Sequence, residues 1–479
     1  MTNDSRGVRL MLGAIPFAAT LLVFSTLIDV VGGAQRAQPR SQPNILFILA
    51  DDLGYADVGF TGGREIKTPH LDALAASGAR LDHFYVQPVC SPTRAALMTG
   101  RYPMCYGLQV GVVRPWAQYG LPLEERTLPQ ALKAAGYATA LVGKWHLGHF
   151  ERAYLPTERG FDRQYGHYNG AIDYFTHIRD GGFDWHRDDR VSREEGYSTH
   201  LLAREAVSFI REVGGARPFF LDVSFNAPHA PFQAPDEAKA AYASLSEPRR
   251  TYAAMITAMD EAVGQIVAAL DEKGLRENTL IVFSSDNGGV GPGKVADNGI
   301  FRAGKTTVYE GGVRVAAFAA WKGRVAPGTR VTQPLHMVDW YPTLLRLAGA
   351  SLEQKLPIDG RDAWPTIAQA RPSPHREILL NATPRNGAIR VGDWKLVLNG
   401  EHREVPEFEQ GREMTTIPDV WELFNLADDP SEQSNLADKH PGKLKELRAR
   451  YISLAEQAVL PKIKPRSPGF KAPAVWGER

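Results

Sequence analysis

Short apolar runs rich in β-branched and aromatic residues recur along the chain. Asn44–Leu49, Thr139–Val142, Pro218–Phe225 and Thr279–Phe283 are mostly apolar, as strands covered on both faces are. Leu128–Ala135, Ser198–Arg211 and Thr251–Glu272 carry apolar residues at helical spacing, the pattern of helices with one buried face. Strands alternating with helices predict an α/β fold with a largely parallel sheet.

The texture changes beyond Trp364. Arg371-Pro372-Ser373-Pro374 reads as a linker, and Glu377–Leu380, Ala388–Val391 and Trp394–Leu398 alternate as strands of a small antiparallel sheet do. Lys443–Ala455 is a helix to pack on it, and the Pro- and Lys-rich tail from Pro461 is expected to run extended over the surface. At the other end, Arg6 and Arg9 precede an apolar stretch, Leu10 to Leu27, and then Gly32-Gly33-Ala34. This is the order of a secretory signal, and the stretch is near the length of an uncleaved N-terminal anchor. The expected organisation is a leader or anchor over 1–40, a main domain over 41–370, and a C-terminal subdomain with its tail over 371–479. An exported protein is implied.

Each of the four strands runs into a polar cluster. Asp51-Asp52 follows the first, Lys144-Trp145-His146 the second, Asn226-Ala227-Pro228-His229 the third and Asp286-Asn287 the fourth. Open α/β sheets bind ligands beyond the carboxyl ends of their strands, so four such clusters predict one shared site. A fifth group precedes a helix: in Cys90-Ser91-Pro92-Thr93-Arg94, Pro92 suits a first helical turn and Gly100 a helix end. Cys90 then lies at or near the N-cap, where the helix dipole favours negative charge, with Arg94 one turn on. A buried structural cysteine fits these five residues equally well.

Composition narrows the ligand. The 479 residues carry a net charge of +1, so no overall field draws nucleic acid or an anionic membrane, and no stable membrane partner is expected. Cys90 and Cys105 are the two cysteines; they lack zinc-site spacing, and a disulfide between them is not expected. Asp51, Asp52, Asp286 and Asn287 offer only oxygen donors, which suit calcium or magnesium. Arg94, Lys144 and Lys305 supply cations and His146 and His229 can move protons, though each alone would read as an ordinary surface or loop residue. Together with a divalent metal they make a net positive pocket suited to a sulfate or phosphate ester.

These segments resemble the type I, formylglycine-dependent sulfatases of the alkaline phosphatase superfamily, in a pattern similar to arylsulfatase B-like enzymes. The resemblance rests on Ala50-Asp51-Asp52-Leu53-Gly54, the Cys90–Arg94 signature with Leu97–Arg101, Gly143–Gly148, Arg159–Asp162, Ala227–His229, Ser285–Gly289, Lys305, Glu310–Arg314, and Glu422–Leu426 with Asp429, Pro430 and Glu432. It implies an alkaline-phosphatase-like fold: a large mixed, mainly parallel sheet flanked by helices, with a smaller C-terminal antiparallel sheet plus helix. It also implies hydrolysis of sulfate monoesters, with Cys90 oxidised to formylglycine by a formylglycine-generating or anaerobic maturase enzyme. One hydroxyl of the formylglycine hydrate attacks sulfur, and the second lets sulfate be expelled. In this resemblance Asp51, Asp52, Asp286, Asn287 and residue 90 bind Ca2+. Lys144, His229 and Lys305 hold the substrate, the last two near the leaving oxygen, while Arg94 steadies the nucleophile and His146 takes its second proton.

A sulfated small molecule or glycan is the implied substrate. Gln164–Trp185 is rich in aromatics and suits either sugar contact or a long loop packed on its own domain. Two other classes fit the same residues: a phosphodiesterase or phosphonate monoester hydrolase of this superfamily, and a non-catalytic sulfated-glycan-binding relative with an unmodified Cys90.

Overall fold

The strand Asn44–Ala50 pairs in parallel on both sides, with Phe219–Ser224 and with Thr279–Ser285. The computed structural model describes residues 42–383, 385–400 and 418–478; the expected leader lies outside them. Ala138–Lys144 joins Phe219–Ser224 in parallel, so the four expected strands stand side by side. Arg163–His167 extends the parallel run, and short strands at both flanks, paired antiparallel except for Thr329–Val331 on Ala79–Leu81, complete a mixed sheet of ten strands among the described residues. The register levels the strand ends. Leu49 pairs with both Ser224 and Ser284, and Ser224 with Gly143. All four polar clusters therefore emerge along one edge.

Side-chain alternation divides the core. Leu46, Ile48, Val223 and Phe283 face helices Ser198–Val213 and Arg249–Glu272. Ile45, Phe47, Leu49 and Val282 face the Cys90–Thr99 and Trp340–Ala348 helices. Helix Arg249–Glu272 is long and apolar enough to cross a membrane, yet its apolar residues are spent on this core.

The C-terminal sheet is antiparallel, in the order Ile378–Thr383, Asn386–Val391, Trp394–Leu398, Trp421–Asn425. Helix Pro441–Ala455 covers one face through Leu447, Tyr451 and Ala455. The other face, through Leu380, Val397 and Phe424, packs on Tyr85, Val308, Tyr309 and Val313.

The structure sharpens one expectation and decides between two readings left open. The tail is extended but not loosely laid on the surface. Ile463, Val475 and Trp476 are buried, Lys462 N–H donates to the Gly107 carbonyl at 2.8 Å, and Trp476 Nε1 donates to the Arg179 carbonyl at 2.7 Å. A large aromatic near the chain end gives the tail enough apolar area to dock. The aromatic segment 164–185 is mainly core: Tyr165, Tyr168, Tyr174 and Trp185 are buried, and Phe175, 45% exposed, is the large aromatic it shows to solvent.

Candidate active site

Helix Cys90–Thr99 starts after Val89, an extended N-cap, so Cys90 is the first helical residue rather than the cap. Gly100 ends it at φ 66°, a left-handed conformation that costs glycine little. The whole helix is buried, and Cys90 Sγ lies 3.3 Å from Asp51 Oδ1.

Around Cys90 the carboxylates and cations pair off. Lys144 donates to Asp51. Arg94 sends Nε and Nη2 to Asp286 Oδ2 at 3.1 and 2.9 Å, and its Nη1 to the Lys144 carbonyl at 3.0 Å. Lys305 Nζ lies 2.8 and 2.9 Å from the two oxygens of Asp52, and His229 Nε2 lies 3.6 Å from one of them. Arg94 thus faces the carboxylates rather than open space. Asp51, Asp52, Cys90 and His229 present potential ligand atoms within 4.8 Å of one another. Asn287 donates its Nδ2 to Asp52 Oδ1 at 2.7 Å, and its buried Oδ1 has no partner. An orphaned carbonyl oxygen beside three buried carboxylates fits a hard cation.

Electrostatics separate the roles. Burial, with Asp286 and Asp51 beside it, pushes the Cys90 thiol well up, so it stays protonated and is a poor nucleophile as a thiol. Burial and the neighbouring Asp51 also push Asp286 upward. Burial, Lys144 and Arg94 hold His146 well below its usual range, and burial and Lys305 lower His229 to about 3. Both imidazoles are neutral at neutral pH. His229 Nδ1 shares a hydrogen bond with the Ala230 carbonyl; since a carbonyl only accepts, that nitrogen carries the proton.

Sequence reasoning missed the residues that hold His146 and His229. Ser91 Oγ donates to the His146 carbonyl at 2.8 Å, and the His146 N–H donates to the Tyr168 carbonyl at 3.0 Å. Asp184, fully buried, accepts from the N–H groups of Tyr168 and Asn169. Tyr174 OH donates to the His229 carbonyl at 2.8 Å. Tyr168, Asn169, Tyr174 and Asp184 lie in the aromatic segment, where no spacing or motif distinguishes them from packing residues, whereas Ser91 lies within the Cys90–Arg94 signature.

A model of the family described as Sulfatase matches residues 43–350. The chain belongs to the sulfatase family. It is 37% identical over 482 residues to arylsulfatase J of Mus musculus, covering 91% of this chain and 80% of that one. It is 35% identical over 449 residues to arylsulfatase A of Homo sapiens, covering 86% of each. The solved structure of Ps i-CgsB in complex with k-i-k-neocarrahexaose superposes with a TM-score of 0.80 at 34% identity, covering 89% of this chain and 96% of that one. This sulfatase has the alkaline-phosphatase-like fold of its structural relatives and is a sulfuric ester hydrolase. The family implies a metal ion and a formylglycine, and the donor set around Cys90 suits both.

Proposed function

We propose that this sulfatase hydrolyses sulfate monoesters of carbohydrates with Cys90, Arg94, Lys144, His146, His229 and Lys305 as its catalytic set. Asp51, Asp52, Asp286, Asn287 and residue 90 hold calcium. The observation that carries this reading is the pairing of three cations with three buried carboxylates around a cysteine whose thiol is kept protonated. The carboxylates are already neutralised, so the charge of an added divalent cation is left to favour an anionic substrate.

A formylglycine at position 90 supplies, as its hydrate, two hydroxyls on one carbon, and bound calcium supplies positive charge to stabilise an alkoxide. Lys144 and Lys305 attract the sulfate oxygens, with Lys305 and His229 against the leaving oxygen. Lys305, which burial opposes but Asp52 holds protonated, donates a proton toward the departing alcohol. His146, neutral and packed against the start of the Cys90 helix through Ser91, accepts a proton at a ring nitrogen. Arg94 holds Asp286 in place and lies 3.7 Å from Asp51.

A carbohydrate substrate is supported by the likeness to the relative solved with k-i-k-neocarrahexaose. Oxidation of Cys90 calls for a maturase, and the charged-then-apolar leader calls for export before use. The deciding experiment joins mass spectrometry of the Cys90 peptide to turnover of 4-nitrophenyl sulfate. Aldehyde with turnover is expected; turnover by a chain whose Cys90 is wholly thiol would overturn the assignment.

A further inference from the structure

The C-terminal motif around Glu422 and Glu432 takes no part in this chemistry, yet it reaches the site through one loop. Lys305 sits between two non-glycine residues in the left-handed region, Ala303 at φ 58° and Thr306 at φ 75°. Backbone of this kind persists where its surroundings over-determine it. Active-site loops hold one side: Lys305 N–H donates to the Gly289 carbonyl at 3.1 Å and Thr306 N–H to the Pro88 carbonyl at 2.9 Å.

The C-terminal sheet holds the other side. Val308 N–H donates to the Gly400 carbonyl at 3.0 Å. Glu310 N–H donates to Glu432 Oε2 at 2.6 Å, and Lys395 Nζ bridges Glu310 and Glu432 at 2.8 and 2.9 Å. Arg302, where the loop begins, donates to the Glu432 carbonyl and to Glu422 Oε1, both at 3.1 Å, and lies 3.8 Å over the Tyr309 ring. Lys395, Glu310 and Glu432 are all fully buried. Three buried charges contribute little net stability over apolar side chains of like volume, because desolvation offsets their attraction. What they supply here is directional contact at the Glu310 end of one strained loop, while Glu422 and the Glu432 carbonyl hold its Arg302 end.

We propose that Lys395 and Glu432 are positioning residues for Lys305, so that the C-terminal sheet sets the group facing the leaving oxygen. The inference rests on the role given to Lys305 above. Its signature is a dependence on the leaving group. A nitrophenolate departs without help, whereas a more basic oxygen needs the cation and its proton.

The test measures kcat for a series of aryl sulfates, from 4-nitrophenyl to unsubstituted phenyl sulfate, with wild type, Glu432→Ala, Glu432→Gln and Arg302→Gln. Glu432→Ala is expected to lose at least about tenfold more rate on phenyl sulfate than on 4-nitrophenyl sulfate. Glu432→Gln, which can still accept from the Glu310 N–H, recovers most of that loss. Arg302→Gln, at the part-exposed rim, shows the same trend and serves if Glu432→Ala fails to fold. Equal losses on all esters, or no loss in either variant, would overturn the inference. Failure of the sulfatase reading would show separately, as absent wild-type turnover of every ester.

Discussion

Gly170 lies directly against the His146 ring: a β-carbon at position 170 would stand 2.3 Å from His146 Cε1. His146 has little room to give, since its backbone is held at φ 59° and tied to Tyr168 and Ser91. Gly170→Ala is therefore expected to displace the imidazole and lower kcat by about 10²-fold, the cost of a misplacement near 1 Å. Steady-state kinetics on an aryl sulfate, with a melting curve alongside, checks this; unchanged kcat would mean that the ring is not used where it stands.

Cys90→Ala removes a small side chain from a helix that the surrounding core already covers. Turnover should fall by at least about 10³-fold, as for loss of a catalytic nucleophile, while the circular dichroism spectrum and the melting temperature measured without calcium stay close to wild type. Wild-type rates in this variant would remove residue 90 from the chemistry.

Calcium binding should be measurable without turnover. A ligand held by the folded state alone raises the melting temperature with its concentration. Chelation is expected to lower the melting temperature and activity together, and calcium to restore both. Asn287→Leu, which deletes the orphaned carbonyl oxygen, should weaken the calcium-dependent shift. Restoration by zinc but not calcium would argue against an all-oxygen site.

Asp222 is a buried carboxyl in the middle of the sheet, accepting from Ser224 Oγ at 2.8 Å. Burial raises it from 3.8 to about 6. The folded state therefore keeps this proton to higher pH than the unfolded chain does. Its contribution favours folding at low pH, declines as pH rises from about 4 to about 6, and leaves a penalty above that. The penalty is at most about 3 kcal/mol, from roughly 1.4 kcal/mol per pH unit. Asp222→Asn should be less sensitive to pH than wild type in urea denaturation across the window from about 4 to about 6. Identical pH dependence in the two proteins would refute the assignment.

Trp476 anchors the tail: its indole is buried, its Nε1 bonds the Arg179 carbonyl, and its ring meets His149 with centroids 5.4 Å apart. Trp476→Ala should cost about 3 kcal/mol, typical for loss of a buried aromatic, read from equilibrium unfolding. A change below about 0.5 kcal/mol, the range of ordinary surface substitutions, would show the tail to be passively placed.

Local signals in the chain were enough for the four central strands, because a strand buried on both faces needs an unbroken apolar run. They were also enough to expect Asp51, Asp52, Lys144, His146, His229, Asp286 and Asn287 in one place, because polar clusters ending such runs must meet wherever parallel strands finish level. What the sequence left open was long-range. Whether the aromatics of 164–185 would face a sugar or a core depended on Asp184 and Tyr168 docking beside His146. Whether the tail would dock depended on Trp476 reaching Arg179, far away in the chain. The carboxylate–cation pairing and the Lys395–Glu432 grip on the Lys305 loop join residues from distant segments. Hydrophobic periodicity records which face of an element is buried, not which partner buries it, so these relationships were decided by the tertiary structure alone.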